Sequence, residues 1–187
     1  MRHNCLRDTI AEMMDKVCTD VVVEPILLPL TGEVFENRTA NTANEARLDI
    51  CARNFWQPLG RSFFDIRVLH PGSPTNASKD ISQMYVNHEN EKKRTYNARV
   101  IEVEKATFTP VVFSTSGGMG QEATTVIKAL SSKRADKTNQ DYANCISFVR
   151  RRLRFDLLKT CIISLRGHRG KFYQKPGDIE QIEINLI

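Results

Sequence analysis

Two aspartates stand inside short apolar runs that predict neighbouring strands. Asp49 lies in the segment Glu45-Ala-Arg-Leu-Asp-Ile, and Asp65 lies in Phe63-Phe-Asp-Ile-Arg-Val. Strands disfavour aspartate, and burying its charge without a partner costs free energy. Two such side chains on successive strands therefore indicate a shared cation or a shared proton. This pair is the first candidate for an active site.

The second run also predicts where its polar side chains point. Phe64, Ile66 and Val68 alternate with Asp65 and Arg67, and side chains two residues apart in a strand share a face. We expect the carboxylate and the guanidinium to lie side by side. A partly buried structural ion network that includes Asp49 is the alternative interpretation, because such networks also place charges in strands.

A charged helix predicted from Ile81 to about Ala106 offers further candidates. His88, Lys92 and Tyr96 are spaced by four residues, and Glu89 and Lys93 form a second pair of this kind. Residues four apart lie on one helix face. Lys92 or Lys93, together with Tyr96, could line a site. The alternative is a solvated helix braced by Glu–Lys pairs, and for His88 alone we favour that interpretation.

The segment Ser114–Gly120, Ser-Thr-Ser-Gly-Gly-Met-Gly, predicts a turn between a strand and a helix. Backbone amides at such a turn can hold a phosphate, but a simple tight turn is the interpretation that we favour. The Gly-Lys-Ser/Thr ending of a P-loop is missing, so the sequence does not support nucleotide hydrolysis.

The net charge of +5 is concentrated near the C-terminus. Residues 150–175 contain nine Lys/Arg and one acid, whereas the rest of the chain carries 18 basic and 21 acidic residues. A localised positive charge fits a surface that binds a polyanion, and a merely solvated helix face is the alternative. As phosphate contacts we predict a set of basic side chains: Arg150, Arg151, Arg152, Arg154, Arg166, Arg169 and Lys171.

Composition is that of an ordinary globular protein, with 41% hydrophobic and 26% charged residues among 187. No apolar run is long enough to span a bilayer, and the N-terminus lacks the apolar core of a secretory signal. The five scattered cysteines include no CxxC pair, which favours buried thiols over a zinc site or disulfides. We therefore expect an intracellular protein, nuclear or cytoplasmic, that does not bind membranes.

Periodicity predicts a small mixed sheet flanked by helices, hence an α/β fold. The expected helices cover 2–17, 81–106, 121–133 and 142–165, with a polar break at 135–140. The expected strands cover 21–28, 47–54, 62–68 and 108–114, and residues 179–187 could add another. We expect a single domain over 1–187, with a core at about 1–133 and a basic helical extension at about 140–175.

The order of these elements, with Asp on the second strand and Asp-x-Arg on the third, resembles the PD-(D/E)XK nuclease superfamily. More specifically, the chain is similar to nuclease-like domains of eukaryotic retrotransposon polyproteins that contain reverse transcriptases. The resemblance rests on seven short segments in this order: Arg2-His-Asn, Glu24-Pro, Glu45-Ala-Arg-Leu-Asp, Phe63-Phe-Asp-Ile-Arg-Val, His88-Glu-Asn-Glu-Lys-Lys, Phe108-Thr-Pro-Val-Val-Phe and Gly117-Gly. They cover most of residues 2–168.

The resemblance implies an αβββαβ core that hydrolyses DNA with Mg²⁺ or Mn²⁺. Asp49 and Asp65 would be metal ligands, with the carbonyl of Ile66 as a possible third. Arg67 stands where the superfamily usually has Lys, and arginine cannot act as a base, so Lys92 or Lys93 could supply the cation with Tyr96 beside it.

The first-helix acid of the superfamily has no single counterpart, and the candidates are Asp8, Glu12, Glu24 and Glu45, with Glu24 included in the predicted metal set. The expected partners are nucleic acid, DNA in the first place, and the remainder of a longer polyprotein. A catalytically inactive domain that binds nucleic acid or protein is the second hypothesis.

Overall fold

The computed structural model describes residues 2–28, 46–73 and 79–167, with side chains up to Ser164. Four helices and four strands follow one another in the order α1 (Arg2–Asp15), β1 (Thr19–Val23), β2 (Ile50–Arg53), β3 (Arg61–Leu69), α2 (Ile81–Glu102), β4 (Thr107–Ser114), α3 (Gln121–Thr138) and α4 (Tyr142–Gly167). The predicted α/β class is confirmed. The element order through β4 is αβββαβ.

The four strands form one mixed sheet in the order β1-β2-β3-β4. β1, β2 and β3 are antiparallel neighbours, and β4 runs parallel to β3. Helix α2 makes the crossover between the parallel pair, as a parallel connection requires. β3 is therefore an interior strand, and its register places Asp65 opposite Pro110 of β4.

Alternation along β3 divides the core between the two faces of the sheet. Phe64 and Ile66 pack with Leu6 and Ile10 of α1 and with residues of α3 and α4. On the other face, Phe63 packs against α2. Because residues of opposite parity face opposite sides, Asp65 and Arg67 lie on the α2 face of the sheet. The sheet thus presents both charged side chains to one helix.

The predicted C-terminal extension shares its core with the rest of the fold. Val149, Leu153 and Leu157 of α4 are buried in the same cluster as the inner residues of α1 and α3. Their spacing of four residues gives α4 one apolar face toward the protein. Phe155 and Leu158, on other sides of α4, are 63% and 58% exposed.

Several predicted boundaries were wrong. α3 continues through the predicted break to Thr138, because Ala135 is buried and Asn139 adopts the left-handed conformation that ends the helix. β2 begins at Ile50, so Asp49 immediately precedes the strand, although its N–H still donates to Phe64 O. β1 ends before Pro25, and beyond it only an isolated bridge joins Ile26 to Arg47.

The sequence also led to expectations about membrane-spanning helices, the cysteines and a C-terminal strand. In the described part, no helix is long and apolar enough to cross a membrane. All five cysteines are free, with Cys18, Cys51 and Cys145 buried and the other two partly buried. The expected strand at 179–187 lies outside the described residues.

Candidate active site

Asp65 is a buried carboxylate at the centre of β3. The residue is 7% exposed, and its Oδ2 lies 2.8 Å from Lys92 Nζ on α2. Burial raises the pKa of Asp65; the Lys92 charge opposes this and the nearby Asp49 charge adds to it, with a net upward shift. Asp65 is therefore a carboxylate whose charge depends on a cation beside it.

Asp49 reaches the same region from the start of β2. Its Oδ2 accepts hydrogen bonds from the backbone N–H of Ile66 at 2.5 Å and pairs with His3 Nε2 at 2.9 Å. The Ile66 contact places the Asp49 carboxylate against the residue that follows Asp65. Asp49 and Asp65 therefore lie near each other, and each has a cationic or imidazole partner.

Lys92 and Tyr96 lie on one face of α2 beside Asp65. Burial lowers the pKa of Lys92, but the ion pair with Asp65 outweighs it, so the pKa is raised overall. Lys92 Nζ lies 5.5 Å from the centre of the Tyr96 ring, and burial raises the pKa of the Tyr96 phenol. At neutral pH Lys92 is thus a fixed positive charge rather than a base.

Arg67 shares the face with Asp65 but pairs with Glu91, the residue that precedes Lys92 on α2. Its Nη1 lies 2.9 Å from Glu91 Oε2, and His88 Nδ1 lies 3.4 Å from the same oxygen. Burial lowers the pKa of His88, and the Arg67 charge adds to this, against the opposing pull of Glu91. Arg67 therefore borders the site as a cation with one third of its side chain exposed.

The structure places Lys93 away from the aspartates. Its Nζ pairs with Glu122 Oε1 at the start of α3. Glu89, one turn earlier on α2, accepts a hydrogen bond from the Glu122 N–H at 3.0 Å. Of the two lysines that the sequence could not distinguish, Lys92 is the one brought to Asp65.

The Ser114–Gly120 segment forms a tight turn, the simpler of its two interpretations, rather than an open phosphate site. Ser114 N donates to Gly118 O, and Gly117 has a φ of +88°, a conformation that favours glycine. The N-terminus of α3 has no cap from its own Gly120, and the Glu89 carboxylate occupies the place that an anion would take. An internal carboxylate therefore satisfies this helix end.

The acids considered for the first-helix position make ion pairs of their own. Glu24 pairs with Arg7 and, at 3.9 Å, with Arg47; Asp8 also pairs with Arg7. Glu12 pairs with Lys16 on the exposed side of α1, and Glu45 lies outside the described residues. Glu24 remains adjacent to the site, since its N–H donates to the Asp49 carbonyl at 2.9 Å.

His3 is the site residue that the sequence reasoning missed. It lies in the first turn of α1 and reaches Asp49 across 46 residues of sequence. The Asp49 hydrogen bond raises the pKa of His3 more than burial lowers it. The only available signal was the Arg2-His-Asn segment, which gave no hint of its partner.

The predicted phosphate contacts of α4 are partly exposed. Arg151 and Arg154 are exposed, and Arg150 is half-buried. Arg152 pairs with Asp156 at 3.3 Å, and the stem of Arg154 lies beside Gly117. The side chain of Arg166 and the whole of Arg169 and Lys171 lie outside what the structure describes. α4 thus carries a basic surface on the outer side of the fold.

The donor set for a metal consists of two carboxylates. Within the described residues, no group of three or more His, Cys, Asp or Glu side chains has the geometry of a metal site. Mg²⁺ is usually held by one or two carboxylates plus substrate phosphates and waters, so Asp49 and Asp65 could hold an ion only if substrate and water complete its coordination. No family model and no curated protein matches this chain.

Proposed function

We propose that this chain is a PD-(D/E)XK-like, metal-dependent endonuclease domain that hydrolyses DNA phosphodiester bonds. The observation that carries the proposal is the approach of Asp49 to Asp65 with Lys92 in contact with Asp65. Support also comes from the αβββαβ element order and from the positions of the two acids at the second and third strands. Derivation from a mobile element, with a reverse-transcriptase polyprotein as partner, rests on the sequence resemblance.

In this mechanism Asp49 and Asp65 would hold Mg²⁺ or Mn²⁺. The bound ion would supply a more acidic water and positive charge at the phosphate. Asp65 is suited to this role because it is buried and its charge is costly unless a cation lies beside it. The backbone carbonyl of Ile66 could add a further oxygen ligand from the same strand.

Lys92 supplies the positive charge that the superfamily usually places two residues after the strand acid. The Lys92 ammonium contacts the Asp65 carboxylate, and the Lys92 side chain is 22% exposed. It can therefore donate a hydrogen bond to a phosphate oxygen at the site. Fixed donors aimed at developing charge lower the barrier without reorganisation. Arg67, paired with Glu91, adds charge at the border of the site.

The basic surface of α4 serves to hold nucleic acid in this proposal. Lys and Arg contacts to phosphates position a duplex but do not read bases. Arg151 and Arg154 are exposed enough to make them. Binding should therefore weaken steeply with salt and depend little on sequence.

Nicking of supercoiled plasmid in Mg²⁺ or Mn²⁺ tests the mechanism. We expect wild type to nick, and Asp49→Ala, Asp65→Ala and Lys92→Met to lose activity. Lys93→Met is the matched control, because Lys93 directly follows Lys92 on the same helix but pairs with Glu122 rather than with Asp65. Activity that survives the two aspartate substitutions, or that is lost equally in Lys93→Met, contradicts the assigned roles.

One observation favours the second candidate function, a catalytically inactive domain that binds nucleic acid or protein. The Asp49 carboxylate already pairs with His3 and the Asp65 carboxylate with Lys92, so the charges are balanced within the protein. Salt-dependent duplex binding with no metal-dependent nicking, measured in the same preparations, would select this function.

A further inference from the structure

His3 stands in the first turn of α1, where it faces the start of β2. Its Nε2 lies 2.9 Å from Asp49 Oδ2, and its Nδ1 lies 3.1 Å from the Asn4 side chain. The His3 side chain is 39% exposed and that of Asp49 is 13% exposed. The imidazole therefore lies between Asp49 and solvent, with both ring nitrogens in polar contact.

The Asp49 carboxylate is held through one of its oxygens. The Ile66 N–H from β3 and His3 Nε2 from α1 both contact Oδ2, at 2.5 and 2.9 Å. Two contacts from different elements fix both the position of this oxygen and the rotation of the carboxylate about χ2. Both of these hydrogen bonds go to Oδ2, so neither of them uses Oδ1.

We propose that His3 is a positioning residue: its Nε2–H donates to Asp49 Oδ2 and thereby presents Oδ1 to a metal ion shared with Asp65. This inference rests on the function proposed above and deepens it. Groups that hydrogen-bond a metal-binding carboxylate orient it and restrict its rotation. In this fold α1 contributes a donor to the ligand, whereas Asp8, Glu12 and Glu24 are paired elsewhere.

The packing of α1 against the core holds His3 in this position. Leu6 and Ile10, one and two turns after His3, are fully buried in the core. A helix anchored by these side chains carries His3 in a fixed orientation toward β2. A ligand supported in this way is preorganised, which lowers the cost of ordering it when the ion binds.

The test compares His3→Ala with His3→Gln, in which the amide can replace the Nε2 donor, and with Lys16→Ala as a control at the other end of α1. Mn²⁺ affinity is measured by calorimetry without DNA, and kcat and KM for nicking are measured separately. His3→Ala should lose on the order of 10- to 100-fold in Mn²⁺ affinity. His3→Gln should recover most of that loss, and Lys16→Ala should bind as wild type.

The outcomes separate this inference from the proposed function. If wild type and His3→Ala bind Mn²⁺ equally while Asp49→Ala does not bind, His3 is not a positioning residue, although the metal site stands. A wild-type protein that neither binds Mn²⁺ nor nicks DNA overturns both. Circular dichroism of each variant identifies unfolding. If His3→Ala is unfolded, folded His3→Gln decides the question by comparison with wild type. A folded His3→Gln that binds Mn²⁺ no better than His3→Ala, or much more weakly than wild type, contradicts the donor role.

Discussion

Lys92 Nζ lies 2.8 Å from Asp65 Oδ2, and this contact joins helix α2 to the interior strand β3. Both side chains are largely buried, at 22% and 9% exposed. Removing one partner of such a pair leaves an uncompensated charge, which costs more than the pair itself contributes. The contact is therefore both the centre of the proposed site and a structural constraint.

A double-mutant cycle measures this contact. Lys92→Met should lower the free energy of unfolding by about 3 kcal/mol, the lower end for a broken buried pair, because Asp65 can take up a proton. Asp65→Asn/Lys92→Met should lose less than the sum of the single variants, with a coupling of about 1–3 kcal/mol. Urea denaturation at pH 7 gives all four values, and additivity of the two losses would show that the pair is not coupled.

The pH dependence of stability should report the raised pKa of Asp65. A carboxyl whose folded pKa lies above its unfolded value contributes most at low pH and loses that contribution as pH rises through the folded pKa. Wild type should therefore lose stability relative to Asp65→Asn as pH rises above the ordinary value of 3.8. Urea denaturation of the two proteins at several pH values checks this, and a constant or opposite difference contradicts it.

His3 should titrate above its ordinary pKa of 6.5, because Asp49 stabilises the imidazolium. The stability that this pair contributes is present below pH 6.5 and is lost as pH rises through the raised pKa. Asp49→Asn should lower the pKa of His3, whereas Glu12→Gln on the same helix should not. The proton resonances of the His3 ring, followed by NMR against pH, measure both shifts.

The cap that α2 provides for α3 predicts a specific pattern of losses. Glu89→Ala leaves the Glu122 N–H without its acceptor and should cost about 1–2 kcal/mol, as the loss of a helix cap does. Glu89→Gln keeps an acceptor and should cost less. Gly120→Ala puts a methyl group against the Glu89 carboxylate, so it should also destabilise. Thermal or urea unfolding checks the order, and the double variant Glu89→Ala/Gly120→Ala should lose less than the sum.

The basic surface of α4 predicts the salt dependence of nucleic-acid binding. Each phosphate contact contributes about 0.9 to the slope of log K against log salt for duplex DNA. Replacing Arg151 and Arg154 with Gln should therefore reduce the slope by about 2. The control is Arg53→Gln on β2, which removes an ion-pair partner of Asp20 on β1. Fluorescence anisotropy at several salt concentrations measures the slopes, and an equal change in the control would argue against a role for α4.

The sequence predicted those features that depend on local pattern. Alternation in β3 indicated that Asp65 and Arg67 share a face, and the spacing of Lys92 and Tyr96 indicated a common side of α2. Contacts in the structure agree with both. The continuation of α3 to Thr138 was missed because its polar last turns carry no strong apolar period, and Ala135 is fixed by tertiary burial.

What the sequence could not predict are pairings between distant segments. His3 and Asp49 are 46 residues apart, and no local rule joins the first turn of a helix to the start of a strand. Lys92 and Lys93 are chemically identical, and only the rotation of α2 against the sheet decides which one reaches Asp65. The side chain of Glu89 in the place of an anion at α3 likewise follows from the packing of two helices.

Helix α2 makes three ion pairs and one hydrogen bond through its carboxylate and ammonium groups within the five residues 89–93. Glu89 and Lys93 engage Glu122 of α3, while Glu91 and Lys92 engage Arg67 and Asp65 of β3. An insertion of a single residue within this segment would turn everything after it by about 100°. The residues before the insertion would then keep their partners, while those after it would lose theirs. The phase of α2 is thus locked from two directions, and length changes should be tolerated in this protein only outside that turn and a half of helix.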